Sequence, residues 1–232
     1  MHQRVVNYLQ DTRLLPISKG QEVLLERHVV NKIINIFDGD EGQNAKGNTA
    51  FLGFGLLHYA FLRNIRPKRI LCIGSRRGFI PAICALACKS NDLGRVDFVD
   101  AGYGEKDVGK NWSGVGFWKT NNAKAHFQKL GITPWVTTYV MTSRHFANRM
   151  KKNVYDYIYI DGDHSYKGVK TDYQLFWPRL RAGGFMVFHD VIAQGVLDGG
   201  IFGVHRFWKE IQHEHTVLFP FPSSSGLGII QK

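Results

Sequence analysis

Three cysteines among 232 residues cannot build a disulfide framework, so a reducing, cytoplasmic setting is expected. No apolar run approaches the roughly 20 residues that a membrane-spanning helix needs, which removes the membrane as an expected partner. Residues 1–10 hold no apolar stretch of the secretory type. Proline is scarce, at 7 residues, and no repeat, low-complexity tract or linker divides the core. Acid is also in short supply: 19 Asp and Glu stand against 30 Lys and Arg, a formal charge of +11. Such a surplus would suit nucleic acid, an anionic surface or an anionic small molecule. The basic residues are scattered, however: Arg63, Arg66, Lys68 and Arg69, then Arg76 and Arg77, then Lys151 and Lys152, then Arg179 and Arg181. Without a block of five or six like charges they read as a solvated basic surface, and nucleic acid is not the expected partner.

A hydrophobic share of 44% with 21% charged residues is enough to bury a core. Helical and strand-like periods alternate along the chain. Helices are expected over 20–36, 49–64 (halted before Pro67), 79–90 (Pro81 in the first turn), 117–130, 165–180 and 202–214. Strands are expected at RILCI (69–73), VDFVD (96–100), WVTTYV (135–140), YDYIYI (155–160) and GFMVFH (184–189). TVLFPFP and GLGIIQK, joined through Ser223, Ser224, Ser225 and Gly226, read as a terminal hairpin. Residues 37–48 and 101–116 read as loops. The pattern predicts an α/β fold: a Rossmann-like, doubly wound, mostly parallel sheet of about seven strands with an antiparallel terminal hairpin. Residues 1–47 are expected to form a helical arm and 48–232 a single domain.

Ligands of open parallel sheets bind beyond the carboxyl ends of the strands. Small or acidic residues occupy those positions: Gly74-Ser75-Arg76-Arg77-Gly78, Asp100-Ala101-Gly102, Met141-Thr142-Ser143, Asp161-Gly162-Asp163-His164 and His189-Asp190. A glycine-rich turn lets a ligand approach the backbone and the N–H groups of the following helix. An acid at the end of the second strand accepts hydrogen bonds from a ribose diol. Together they point to an adenosine-containing cofactor. Asp163 reads as a cap for the next helix and His164 as a hydrogen-bonding residue of the turn. Cys84 and Cys88 read as core, and Cys72 as buried in the first strand.

The stretches RILCIGSRRG, VDFVDAG, YDYIYIDGDHSYKGVKTD and LRAGGFMVFHDV resemble the class I S-adenosylmethionine-dependent methyltransferases. The resemblance is to the small O-methyltransferase group that includes catechol-type, macrolide-sugar and cephalosporin-hydroxylase-related proteins, and it runs over roughly residues 48–232. It implies S-adenosylmethionine held by Gly74, Ser75, Arg76, Gly78, Asp100, Ala101, Ser143 and Asp161. It implies Mg²⁺ or another divalent metal on Asp161, His189 and Asp190, with Asp161 and His189 as catalytic residues. The substrate implied is a small hydroxylated molecule of sugar or natural-product type. The chain departs from the pattern at Cys72, where an acid is usual, and at Arg76, where a glycine is usual. Arg76 either faces solvent or holds a carboxylate or phosphate. These departures leave a non-catalytic binding module as one alternative, and the +11 charge leaves an RNA or nucleotide methyltransferase as another. The aromatic residues Trp112, Phe117 and Trp118 are expected to form a substrate wall or a contact within a homo-oligomer.

Overall fold

The computed structural model describes residues 26–37, 52–104, 115–123, 125–193, 196–197, 200–221 and 225–232. Five strands run parallel: β1 (Arg69–Ile73), β2 (Arg95–Asp100), β3 (Val136–Val140), β4 (Tyr155–Ile160) and β5 (Leu180–His189). A short hairpin follows, β6 (Val196–Leu197) and β7 (Gly200–Ile201), and the chain closes with β8 (Thr216–Phe221) and β9 (Leu227–Gln231). The main sheet has seven strands in the order β3-β2-β1-β4-β5-β9-β8, and β9 is antiparallel to both its neighbours. Central strands of a parallel sheet are covered on both faces, which is why β1 and β4 read as nearly unbroken apolar runs.

Helices cover the two faces: α1 (Arg27–Phe37), α2 (Phe54–Ile65) and α3 (Phe79–Asn91) on one, and α4 (Ser143–Arg149), α5 (Tyr166–Phe176) and α6 (Val204–Ile211) on the other. Strand alternation sorts the side chains between them. Cys72, Tyr157, Tyr159 and Val187 pack under α2 and α3, whereas Leu71, Ile158, Met186 and Phe188 pack with Phe146, Phe176 and Phe207. Val30, Ile33 and Phe37 of α1 are buried in the first of these cores, so this part of the expected arm is fastened to the domain.

A few of the basic residues cap helix and turn carbonyls. Arg179 donates to the carbonyls of Ala147 (2.8 Å) and Met150 (3.0 Å) at the end of α4. Lys232 donates to Leu180 (2.8 Å) and Trp177 (2.9 Å), Arg66 to Asn91 (3.2 Å) and Arg95 to Pro134 (2.7 Å).

Several elements differ from the sequence expectation. Residues 117–130 form 3₁₀ segments at Phe117–Lys119, Asn121–Ala123 and Phe127–Leu130 instead of one α-helix. Thr120 donates its hydroxyl to the Phe117 carbonyl (2.7 Å), the local competition that interrupts a helix. Helix α4 was not expected; Thr142 caps it by accepting from the His145 amide (3.2 Å). Helix α5 stops at Phe176, since Pro178 follows. Residues 20–25, 38–48 and 105–114, with Trp112, and Ser223 and Ser224 of the hairpin turn lie outside the described residues.

Candidate active site

The first wall is the turn from β1 into α3. Gly74 has φ +71°, and a Cβ there would collide with the Asp161 carbonyl, because the ends of β1 and β4 close on one another. Gly78 has φ +84° at the N-cap of α3, and a Cβ would meet the Trp118 ring at 2.8 Å. Both positions therefore require glycine. Ser75 is buried and donates its amide to Asp100 Oδ2 (3.3 Å); Gly102 donates to Asp100 Oδ1 (2.7 Å). Burial pushes the Asp100 carboxyl up to about 6 against these two amides. Ala101 is half-buried beside it and Arg76 is exposed. Cys72 is fully buried with its sulfur 3.9 Å from that of Cys84, so this departure from the family pattern lies in the core. Ser143 opens α4, half-buried, and its side chain hydrogen-bonds the Asp172 carboxyl of α5.

The second wall is built where β4 and β5 end side by side. Asp161 Oδ1 lies 3.3 Å from His164 Nε2 and 3.4 Å from His189 Nδ1. Asp190 Oδ1 lies 3.1 Å from His189 Nδ1, and Asp190 Oδ2 lies 3.5 Å from His164 Nε2. Asp190 has φ +64° and no exposure. A non-glycine residue held in this conformation is aimed by its surroundings. Burial works against charge on Asp161, but the His189 charge and hydrogen bonds from His164 and His189 outweigh it, holding the carboxyl well below the ordinary range. Burial also disfavours the charged imidazoles. The Asp161 and Asp190 carboxylates raise His189 far above its usual value, and they raise His164 as well.

One ligand atom each from Asp161, His164 and Asp190 fall within 4.8 Å of one another. The expected set of Asp161, His189 and Asp190 also lies together, with His189 Nδ1 within 3.4 Å of both carboxylates, and His164 is an addition to it. His189 is only 3% exposed, its Nδ1 faces both carboxylates, and its Nε2 is 3.4 Å from the Ser225 hydroxyl. His164, read from sequence as a turn residue, thus belongs to the cluster. Phe54 lies edge-on to His189 (5.8 Å between rings) and Phe202 faces His164 (5.0 Å). Tyr159 donates to Asp161 Oδ2 (3.1 Å). Sequence reasoning missed Tyr159 and Ser225. The period of a strand places Tyr159 on the same face as Asp161, a usable signal; nothing local marks Ser225. Trp118, expected to line a substrate wall or a subunit contact, is buried in the core against Phe98 and Phe127, and Phe117 packs on it.

Strand order, a glycine turn after β1 and acids ending β2 and β4 define a class: this is the fold of the class I S-adenosylmethionine-dependent methyltransferases. Residues 71–191, more than half of the chain, match the family described as a methyltransferase domain, and the chain belongs to that family. An O-methyltransferase of Bacillus cereus, in complex with SAH, superposes with a TM-score of 0.60 at 16% identity, covering 99% of this chain and 97% of the other. An SAH-bound methyltransferase of Podospora anserina gives 0.61 at 15% identity over 99% and 94%. TomG, a Streptomyces achromogenes O-methyltransferase involved in tomaymycin synthesis, gives 0.57 at 14% identity over 100% and 99%. A Sinorhizobium fredii protein, y4gI, is 27% identical over 184 residues, which is 79% of this chain and 19% of that protein. The chain thus spans about a fifth of the length of that relative.

Proposed function

We propose that residues 48–232 form an O-methyltransferase unit, with 1–47 as its arm, acting on a small hydroxylated molecule with the help of a divalent cation. The observation that carries this reading is the Asp161–His164–Asp190 group beside the Gly74–Gly78 turn. S-adenosylmethionine would supply the sulfonium methyl group. Gly74, Ser75, Arg76 and Gly78 would hold its backbone-facing side, Asp100 and Ala101 its ribose, Ser143 its adenine edge, and Asp161 the end nearest the methyl. For the cation, the donor set fits a divalent metal: the two carboxylates alone would suit Mg²⁺, and the added imidazole suits Mn²⁺, Fe²⁺ or Zn²⁺ better. Both buried oxygens of Asp190 lack a well-formed hydrogen bond among the described residues, as expected of a carboxylate meant for a cation. Such a cation would lower the pKa of the substrate hydroxyl.

The chain's own residues do the rest. Asp161 would orient the hydroxyl; because Asp161 and Asp190 hold the His189 imidazole protonated, the substrate's proton would leave to water and not to this pair. Phe54 and Phe202 shield the two imidazoles from water, and the rigid strand ends hold nucleophile and donor in line. The tomaymycin-pathway enzyme supports a substrate of natural-product type. A non-catalytic module is the weaker reading, since Cys72 sits in the core and exposed Arg76 does not fill the glycine turn. An RNA or nucleotide substrate is weaker too, because the basic residues are scattered along the chain with no block of like charge. Calorimetric titration with S-adenosylmethionine, with and without Mg²⁺, tests the reading; no heat of binding in either case sinks it. Asp161→Ala is expected to lower methyl transfer at least 100-fold.

A further inference from the structure

Asp161 offers two oxygens to different surroundings. Oδ1 meets His164 and His189 at 3.3 and 3.4 Å, while Oδ2 accepts the Tyr159 hydroxyl at 3.1 Å. Tyr159 is fully buried and lies in register with Cys72 of β1 on one side and Val187 of β5 on the other. Its ring meets His58 of α2 edge-on at 5.0 Å and His189 at 6.4 Å. His58 is in turn fastened through Nδ1 to the Tyr157 hydroxyl. Burial, helped by the charge of His189, pushes His58 down to about 3, so it is a neutral prop. A phenol clamped between two strands and an imidazole cannot swing away from the carboxylate two residues on. We propose that Tyr159 is the positioning residue of the site: its hydroxyl fixes the Asp161 carboxylate so that Oδ1 is the oxygen presented to a divalent cation. Outer partners of this kind tune metal affinity by orienting the ligand.

The inference rests on Asp161 being a cation ligand, as proposed above. The test is Mn²⁺ binding to the full chain without substrate, followed by electron paramagnetic resonance, for wild type, Tyr159→Phe and Tyr155→Phe. Tyr155 donates to Asp97 (3.0 Å) at the far end of the same strand, so its variant also loses a buried hydrogen bond. Tyr159→Phe is expected to weaken Mn²⁺ about tenfold while S-adenosylhomocysteine binding changes less than twofold; Tyr155→Phe leaves Mn²⁺ affinity unchanged. If Tyr159→Phe binds Mn²⁺ like wild type, or both variants weaken it equally, the positioning role is overturned while the cation site stands. If wild type binds no Mn²⁺, the cation reading itself fails and takes this role with it.

Discussion

Asp172 carries a quantitative prediction that needs no ligand. It lies on the inner face of α5, 3% exposed, and its oxygen Oδ2 packs against Gly162 of the Asp161–His164 turn. Burial pushes the carboxyl from 3.8 up to about 7; the Ser143 hydrogen bond and Arg144 oppose the rise, and Asp163 adds to it. An acid whose folded value lies above its unfolded one holds its proton more tightly when folded. Its favourable contribution is therefore complete below about pH 4 and is lost as the pH climbs toward 7. At about 1.4 kcal/mol per pH unit between the two values, the cost at pH 8 reaches about 4 kcal/mol as an upper bound. Asp172→Asn keeps the shape and an oxygen for Ser143 but cannot ionise. At pH 8 the variant is expected to melt on the order of 10 °C above wild type. The gap in unfolding free energy is expected to narrow by about 3 kcal/mol on going to pH 5. Urea unfolding across this range measures both. A pH-independent offset, or a wild type more stable than the variant at pH 8, would refute the reasoning.

Asp100 makes a second titration visible. A ribose diol donates to the carboxylate ion, so with a free value of about 6, affinity for S-adenosylhomocysteine is expected to rise about tenfold from pH 5 to pH 7 and then level off. Asp100→Asn should bind more weakly and with no such slope; calorimetry showing the same slope in the variant defeats the assignment. Gly74→Ala forces a Cβ into the Asp161 carbonyl at a positive φ. It is expected to cost at least about 2 kcal/mol of stability and to abolish cofactor binding, both readable by melting with and without the cofactor.

The sheet was legible because its inner strands are short apolar runs bounded by turn residues. RILCI and YDYIYI were bounded correctly to the residue, and the acids and glycines after them marked the rim. Helix α4 was not legible, since SRHFANR buries only Phe146 and Ala147 and shows almost no period; the Thr142 cap was its one signal. The 117–130 region misled because its apolar residues have helical spacing, while Thr120 and the asparagines break the ladder. The carboxylates Asp161 and Asp190 could be found from strand ends. That His164 joins His189 against the same two carboxylates could not, because it depends on how the turn after β4 folds back over the end of β5. Asp172 and Ser225 reach the site through contacts that only the folded chain creates, whereas Tyr159 was marked by the strand period.

Two of the basic residues that cap carbonyls carry part of the net charge as structure. Arg179 joins the end of α4 to the start of β5, and Lys232 ties the last residue of the chain to the turn before that strand. Exchanging either for an acid would not merely lower the isoelectric point; it would remove a side-chain donor from helix and turn ends and leave the Met150 and Trp177 carbonyls to the Asn153 and Leu180 amides alone among the described residues. Substitution is thereby constrained at Arg179 and Lys232, while Lys151 and Lys152, exposed on a turn, carry no such bond among the described residues and are expected to tolerate change.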